Sequence, residues 1–167
     1  MEQTTTKYTI ISPKGVRIKG VQEVDIIGLH SALKQEGCRE SENSFTDEQK
    51  VVTLDNIQMR LAHSNRTSPR HSMDMLICIA PQKILLTDAK FMVKNVRNVS
   101  RSEIEDKITE SRNLVEDENY HIIQTYYLLF SSAILTPARK NELKKIFLSS
   151  PKYQFQTAIE FHNLFNH

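Results

Sequence analysis

Residues 73–90 read MDMLICIAPQKILLTDAK, and this stretch decides the fold. Two runs of β-branched and long aliphatic residues, 73–80 and 83–87, stand on either side of Pro81-Gln82. Such residues are enriched in strands, whereas proline lacks the backbone donor that the middle of a strand needs. The stretch therefore predicts two strands that bracket Pro81-Gln82.

The chain before this stretch predicts further strands and one helix. Tyr8–Ile11 and Val16–Ile18 flank Ser-Pro-Lys-Gly, which is typical of a β-hairpin. Apolar residues recur at helical spacing over 22–36, and Gly37 is a natural stop for that helix. Residues 50–54 and 58–62 are expected to form two more strands.

The pattern after residue 100 predicts helices. Ser102 can cap a first helix, with Glu105 at the capping-box position. The apolar run at 119–135 predicts a second helix, and Thr136-Pro137 and Ser150-Pro151 predict the starts of a third and a fourth. We therefore expect a single α+β domain over residues 1–167. Its first 100 residues would be mostly antiparallel β with one helix, packed against about four helices in 101–167.

Composition excludes several classes of protein. The chain has 167 residues, 39% of them hydrophobic, which is enough for a sizeable core without a disulfide or metal staple. It has no glycine after Gly37, and glycine-rich phosphate loops need that residue. The N-terminus lacks the apolar segment of a signal peptide, and the most apolar window, 120–135, is shorter than a membrane span. We therefore expect a soluble intracellular protein, cytoplasmic or nuclear.

Charge is strongly segregated along the chain. Residues 56–102 carry a net charge of +6, and the segment that follows, 103–118, carries −5. The basic segment contains two acid-free runs, 56–73 and 89–102. Such a segment favours docking of an anionic partner, with nucleic acid (RNA included) first and an acidic protein surface second. The candidate contacts are Arg60, Arg66, Arg70, Lys94, Arg97 and Arg101.

The leading hypothesis from the sequence is accordingly a non-catalytic binding or regulatory protein without a cofactor. The alternative reading of the same cations is that they pair with the acidic segment 103–118.

A second hypothesis is catalytic. Asp74 lies in the first strand of the opening stretch, and Asp88-Ala89-Lys90 ends the second strand fourteen residues later. This pattern resembles the core of the PD-(D/E)xK nuclease superfamily over about 17 residues, although Met73 stands where proline is usual. The resemblance implies that Asp74 and Asp88 hold Mg²⁺, and that Lys90 positions or activates the attacking water.

A third hypothesis is self-assembly. Residues 151–165 read PKYQFQTAIEFHNLF, and their aromatic side chains are Tyr153, Phe155, Phe161 and Phe165. Aromatic residues on more than one face of a terminal helix are typical of an interface, here between copies of the chain. A small viral matrix-like structural protein would use such a surface. The competing interpretation is that these side chains pack in the core.

Overall fold

The computed structural model describes residues 7–167 and centres on a six-stranded mixed sheet. Its strands are β1 (Ile26–Gly28), β2 (Lys50–Thr53), β3 (Met75–Ile79), β4 (Lys83–Ala89), β5 (His121–Phe130) and β6 (Tyr153–Thr157). Its helices are α1 (Leu29–Gln35), α2 (Asp55–Asn65), α3 (Arg101–Leu114), α4 (Pro137–Ile146) and α5 (Ala158–His162).

The strands follow chain order across the sheet, from β1 at one edge to β6 at the other. Strands β1 to β4 pair antiparallel, with α1 and α2 in the connections on either side of β2. Strands β4, β5 and β6 pair parallel, and α3 and α4 form the two crossovers. The mixed content of helix and sheet agrees with prediction. The division into a β half and a helical half is wrong, because β5 and β6 lie in the second half.

Both faces of the sheet are covered. Side chains of β3 alternate between two cores, since Leu76 and Cys78 enter one while Met75 and Ile77 enter the other. Helices α2, α3 and α4 supply apolar side chains to the first core, and α1 and α5 supply them to the second. A strand covered on both faces reads as a continuous apolar run, and this explains the opening stretch of the sequence.

The predicted helix at 119–135 is wrong for the same reason. This run forms β5, whose last five residues, Tyr126–Phe130, are all buried between the two cores. Periodicity alone does not separate a strand buried on both faces from a buried helix. No helix within residues 7–167 is long and apolar enough to cross a membrane.

Two predictions for the first third of the chain are also wrong. The expected hairpin over 8–18 does not form, because this segment makes isolated bridges to distant residues, among them Ile10 to Ile79 and Ile18 to Val115. The expected strand at 58–62 lies inside α2, whose Ile57 and Ala62 face the interior. The predicted strand at 50–54 is confirmed as β2.

The two later helix-start signals behave differently. Thr136-Pro137 opens α4 as predicted, and the Thr136 hydroxyl accepts a hydrogen bond from the backbone N–H of Arg139. Ser150-Pro151 opens no helix, because the chain enters β6 and α5 begins only after Thr157. The predicted helix from about 101 is confirmed as α3, although Ser100 rather than Ser102 caps it.

The terminal aromatic residues do not form one exposed surface. Tyr153 and Phe155 lie in β6 and pack on the first core. Phe161 and Phe165 are fully buried in the second core, on the opposite face of the sheet. The structure therefore places these four side chains in or against the two cores, which agrees with the competing interpretation of core packing.

One ion pair is buried against the first strand. Asp25, which is 1% exposed, receives the Arg60 guanidinium from α2, and the same guanidinium donates to the Gly20 carbonyl oxygen. The Asp25 carboxylate also accepts the backbone N–H of Gln22. Arg60 therefore compensates a buried charge. An exposed pair such as Arg101 with Glu105 contributes little to stability, because water solvates both side chains in the folded and in the unfolded chain.

We predict that Arg60→Met lowers the free energy of unfolding by about 3 kcal/mol, because it leaves the Asp25 carboxylate buried without its cation. Arg101→Met is the matched control and should change the free energy of unfolding by less than about 0.5 kcal/mol. Urea denaturation followed by circular dichroism measures both variants. Equal effects of the two substitutions would show that the Asp25–Arg60 pair has no special structural role.

Candidate active site

The two aspartates of the opening stretch meet at one end of the β3–β4 pair. The register that pairs Met75 with Thr87 places Asp74 opposite Asp88 when it is continued by one residue. The backbone N–H of Asp74 donates to Asp88 Oδ1 at 3.1 Å, and the backbone N–H of Ala89 donates to Asp74 Oδ2 at 2.7 Å. These reciprocal bonds fix both carboxylates on the backbone of the neighbouring strand.

Two lysines converge on the second of these aspartates. The Asp88 side chain is fully buried, and its Oδ2 lies 3.0 Å from Lys90 Nζ and 3.3 Å from Lys107 Nζ. Lys90 follows the end of β4, whereas Lys107 reaches in from the middle of α3. Two ammonium groups on one oxygen compensate the charge of a carboxylate in a place where an isolated charge would be costly.

Two further acids complete the cluster from the ends of helices. Glu36 follows the last residue of α1, and Asp55 is the first residue of α2. Carboxylate oxygens of Glu36, Asp55 and Asp74 lie within 4.8 Å of one another. Oxygen atoms in such a group are the ligands that Mg²⁺ and Mn²⁺ prefer.

The acids in this cluster are held in an unfavourable environment. Burial, followed by the charge of Asp88, raises the pKa of Asp74 well above its usual range. Burial likewise raises the pKa of Glu36 and of Asp55. Burial opposes the charge on Lys107, but the nearby Asp88 and Asp74 carboxylates outweigh it and raise the pKa of that lysine.

The cluster carries more acids than cations. Four carboxylates (Glu36, Asp55, Asp74 and Asp88) face two ammonium groups (Lys90 and Lys107), so the ionised cluster has an excess of two negative charges. Burial is the largest cause of the raised pKa values of Glu36, Asp55 and Asp74, and the charges of neighbouring carboxylates add to it. The donor set and the charge excess both fit Mg²⁺ or Mn²⁺.

Sequence reasoning found half of this cluster. Asp74, Asp88 and Lys90 lie together as the nuclease hypothesis expected, while Glu36, Asp55 and Lys107 were missed. Asp55 carried a usable signal, because it ends the apolar run of β2 just as Asp88 ends that of β4. Glu36 and Lys107 carried no such signal. Glu36 follows α1 and Lys107 lies in α3, and tertiary packing sets where these two helices lie against the sheet.

The six cations of the predicted anionic-partner face do not form one acid-free surface. Arg60 is bound to Asp25, Arg70 lies 3.8 Å from Glu110, Arg97 lies 3.7 Å from Glu142, and Arg101 lies 3.6 Å from Glu105. Arg66 and Lys94 have no ion pair within residues 7–167. Two of these partners, Glu105 and Glu110, belong to the acidic helix α3, as the alternative reading of these cations anticipated.

Comparisons with protein-family models, with curated protein sequences and with solved structures found no match.

We predict that a divalent cation reverses the order of stability of wild type and Asp74→Asn. Without metal at about pH 8, Asp74→Asn should be more stable than wild type by about 1 to 3 kcal/mol, because Asp74 loses its proton freely in the unfolded chain but is held back from doing so in the fold. This gain should vanish below about pH 4, where Asp74 is protonated in both the folded and the unfolded chain. With Mn²⁺ at about pH 8, wild type should become the more stable protein, since binding stabilises only the chain that holds the ion.

Thermal denaturation with and without Mn²⁺ measures this reversal. Asp106→Asn is the control, because Asp106 is an exposed acid next to Lys107 but outside the cluster. Its midpoint should follow wild type under both conditions. An Mn²⁺ response that is identical in wild type and Asp74→Asn would contradict the site.

Proposed function

We propose that this protein is a divalent-metal-dependent nuclease that hydrolyses phosphodiester bonds in nucleic acid. The observation that carries the proposal is the convergence of six charged side chains in one cluster, namely Asp74, Asp88 and Lys90 with Glu36, Asp55 and Lys107. The first three of these are the residues on which the resemblance to PD-(D/E)xK nucleases rests. The other three come from separate elements, so their arrival at the same point is independent support.

The acids would hold the metal, with Glu36, Asp55 and Asp74 offering the nearest set of oxygens. A bound Mg²⁺ or Mn²⁺ supplies Lewis-acid polarisation of a phosphate and a water of lowered pKa. Asp74 must lose its proton to serve as a ligand, so metal binding, and with it the reaction, should strengthen as the pH rises.

The lysines would act as cations. The raised pKa of Lys107 keeps it protonated at neutral pH, so it is suited to neutralising charge that develops on the phosphate and not to accepting a proton. Lys90 Nζ lies 3.0 Å from Asp88 Oδ2, the oxygen that Lys107 also contacts, so Lys90 can contact the same phosphate. Each lysine is only about one-sixth exposed, which strengthens the electrostatic interaction with a bound phosphate.

Simple docking of a polyanion, which the sequence alone favoured, is the weaker proposal. Four of its six candidate residues already have acidic partners. A binding face also gives no reason to collect four acids around two lysines, whereas metal-dependent phosphodiester hydrolysis uses acids to hold the ion and cations to neutralise the phosphate.

The proposal predicts Mg²⁺- or Mn²⁺-dependent cleavage of RNA or DNA. Asp74→Asn, Lys90→Ala and Lys107→Ala should each lower the cleavage rate by at least about 100-fold, as loss of one electrostatic contact to a transition state typically does. Either lysine variant leaves Asp88 with its other cation, so both should fold. Gel analysis of end-labelled RNA and DNA, single-stranded and duplex, measures the rates.

Lys83→Ala is the matched control for the lysines, because Lys83 lies on the same strand, β4, at the end away from the cluster. It should cleave at the wild-type rate. The proposal fails if no substrate is cleaved with either metal, or if activity survives Asp74→Asn at the wild-type level.

A further inference from the structure

A cleft opens beside the acid and lysine cluster. Its volume is about 280 Å³, and three segments line it: the chain just after α1, the turn after β4 and the loop after β5. The first contributes Gly37 and Arg39, the second Phe91, Met92 and Lys94, and the third includes Ala133.

Two walls of the cleft continue directly from residues of the cluster. Glu36 precedes Gly37, and Lys90 precedes Phe91 and Met92, so both walls begin within one or two residues of a proposed active-site group. The walls also touch each other, since Met92 Sδ lies only 2.7 Å from the position that a Cβ on Gly37 would occupy. Both walls of the cleft are therefore continuous in the chain with residues of the cluster.

The third wall is held by a buried carboxylate. Glu42, which is 8% exposed, accepts the backbone N–H of Ser132 at 2.9 Å and so fixes the loop after β5. Glu42 is the only acid in the lining among the described residues. One of its oxygens is therefore already engaged by the wall itself.

The lining combines apolar surface with free cations. Met92 is 77% exposed, the highest value among the large apolar side chains that are exposed in residues 7–167. Arg39 and Lys94 line the same cleft and are both exposed, and neither has an ion pair within the described chain. Exposed apolar surface flanked by unpaired cations is complementary to a nucleotide, because the base offers a flat face and the phosphate offers charge.

We infer that this cleft binds an unstacked nucleotide next to the cleaved phosphate, so that the enzyme acts on single-stranded nucleic acid in preference to duplex. The inference rests on the proposed nuclease function. A base in a duplex is stacked and paired, and removing it costs a few kcal/mol, whereas a base in a single strand reaches such a cleft at little cost. Met92 would contact the base, and Arg39 and Lys94 would contact the flanking phosphates.

Filling the cleft tests this inference. Ala133→Trp places a large side chain in the cleft from an exposed position, and Ala138→Trp makes the same change at an exposed position on α4 outside the cleft lining. Ala133→Trp should lower kcat/KM for a single strand by about tenfold or more, and should leave the value for duplex of the same sequence unchanged. Ala138→Trp should match wild type on both substrates.

A second variant removes one of the two cations that line the cleft. Lys94→Ala should weaken binding of a fluorescein-labelled single strand about fivefold and reduce the salt dependence of that binding, whereas Lys83→Ala should change neither. Fluorescence anisotropy with Ca²⁺ in place of Mg²⁺ measures binding, and parallel titrations with RNA and DNA strands identify which one the cleft prefers. Thermal midpoints equal to wild type establish that the variants fold.

The outcomes separate the cleft from the chemistry. Metal-dependent cleavage that favours duplex, or that Ala133→Trp leaves unchanged on single strands, overturns the cleft inference and leaves the nuclease proposal standing. Absence of cleavage overturns the nuclease proposal. In that case, single-strand binding that is lost in Ala133→Trp and kept in Ala138→Trp would still support the cleft as a nucleotide site, and equal binding by both would overturn it.

Discussion

The site depends on the Asp88 carboxylate, which is fully buried and held between two ammonium groups opposite Asp74. A buried carboxylate is tolerated only when it is paired and hydrogen-bonded. Here the neighbouring strand supplies the hydrogen bond, and β4 and α3 supply one lysine each. The Asp88–lysine interaction therefore connects one end of the antiparallel β3–β4 pair to α3, the first crossover helix. Asp74 lies at the same end, close to Glu36 after α1 and to Asp55 at the start of α2.

The remaining features of the cluster follow from that arrangement. Lys90 and Lys107 lie against Asp88, and their charges only partly offset those of the other acids. The pKa values of Glu36, Asp55 and Asp74 are raised there, chiefly by burial and then by repulsion from neighbouring carboxylates. A divalent cation relieves this repulsion, and a phosphate bound to that cation would lie within reach of both lysines. The same geometry thus accounts for the charge excess, the raised pKa values and the proposed chemistry.

The sequence alone predicted the local part of this arrangement. The β3–β4 pair and its two aspartates lie within 17 residues, so strand propensity and the Asp-x-Lys spacing were sufficient to bring them together. Glu36 and Lys107 reach the site through helix packing, which no short-range spacing encodes. Strand β5 was read as a helix because burial on both faces removes the alternation that identifies a half-exposed strand.

Charge runs in the sequence predicted a basic surface, and four of its six cations have acidic neighbours in the fold. Arg60 lies in a basic run, yet it serves a buried partner, Asp25, 35 residues earlier in the chain. Arg70 and Arg101 lie against acids of α3, so the basic and acidic segments partly neutralise each other. Lys94 is the member of the basic set that lines the cleft, and its neighbour there, Arg39, lies outside every basic run.

The most direct test of the account is a crystal structure of the wild-type protein grown with Mn²⁺ and measured at a wavelength where manganese scatters anomalously. We expect an anomalous peak coordinated by Asp74 and by at least one of Glu36 and Asp55, with metal–oxygen distances of roughly 2.0 to 2.4 Å. Crystals of Asp74→Asn grown in the same way should lack that peak. Manganese bound only elsewhere, or no peak at a saturating concentration, would contradict the central claim that these acids form a metal centre.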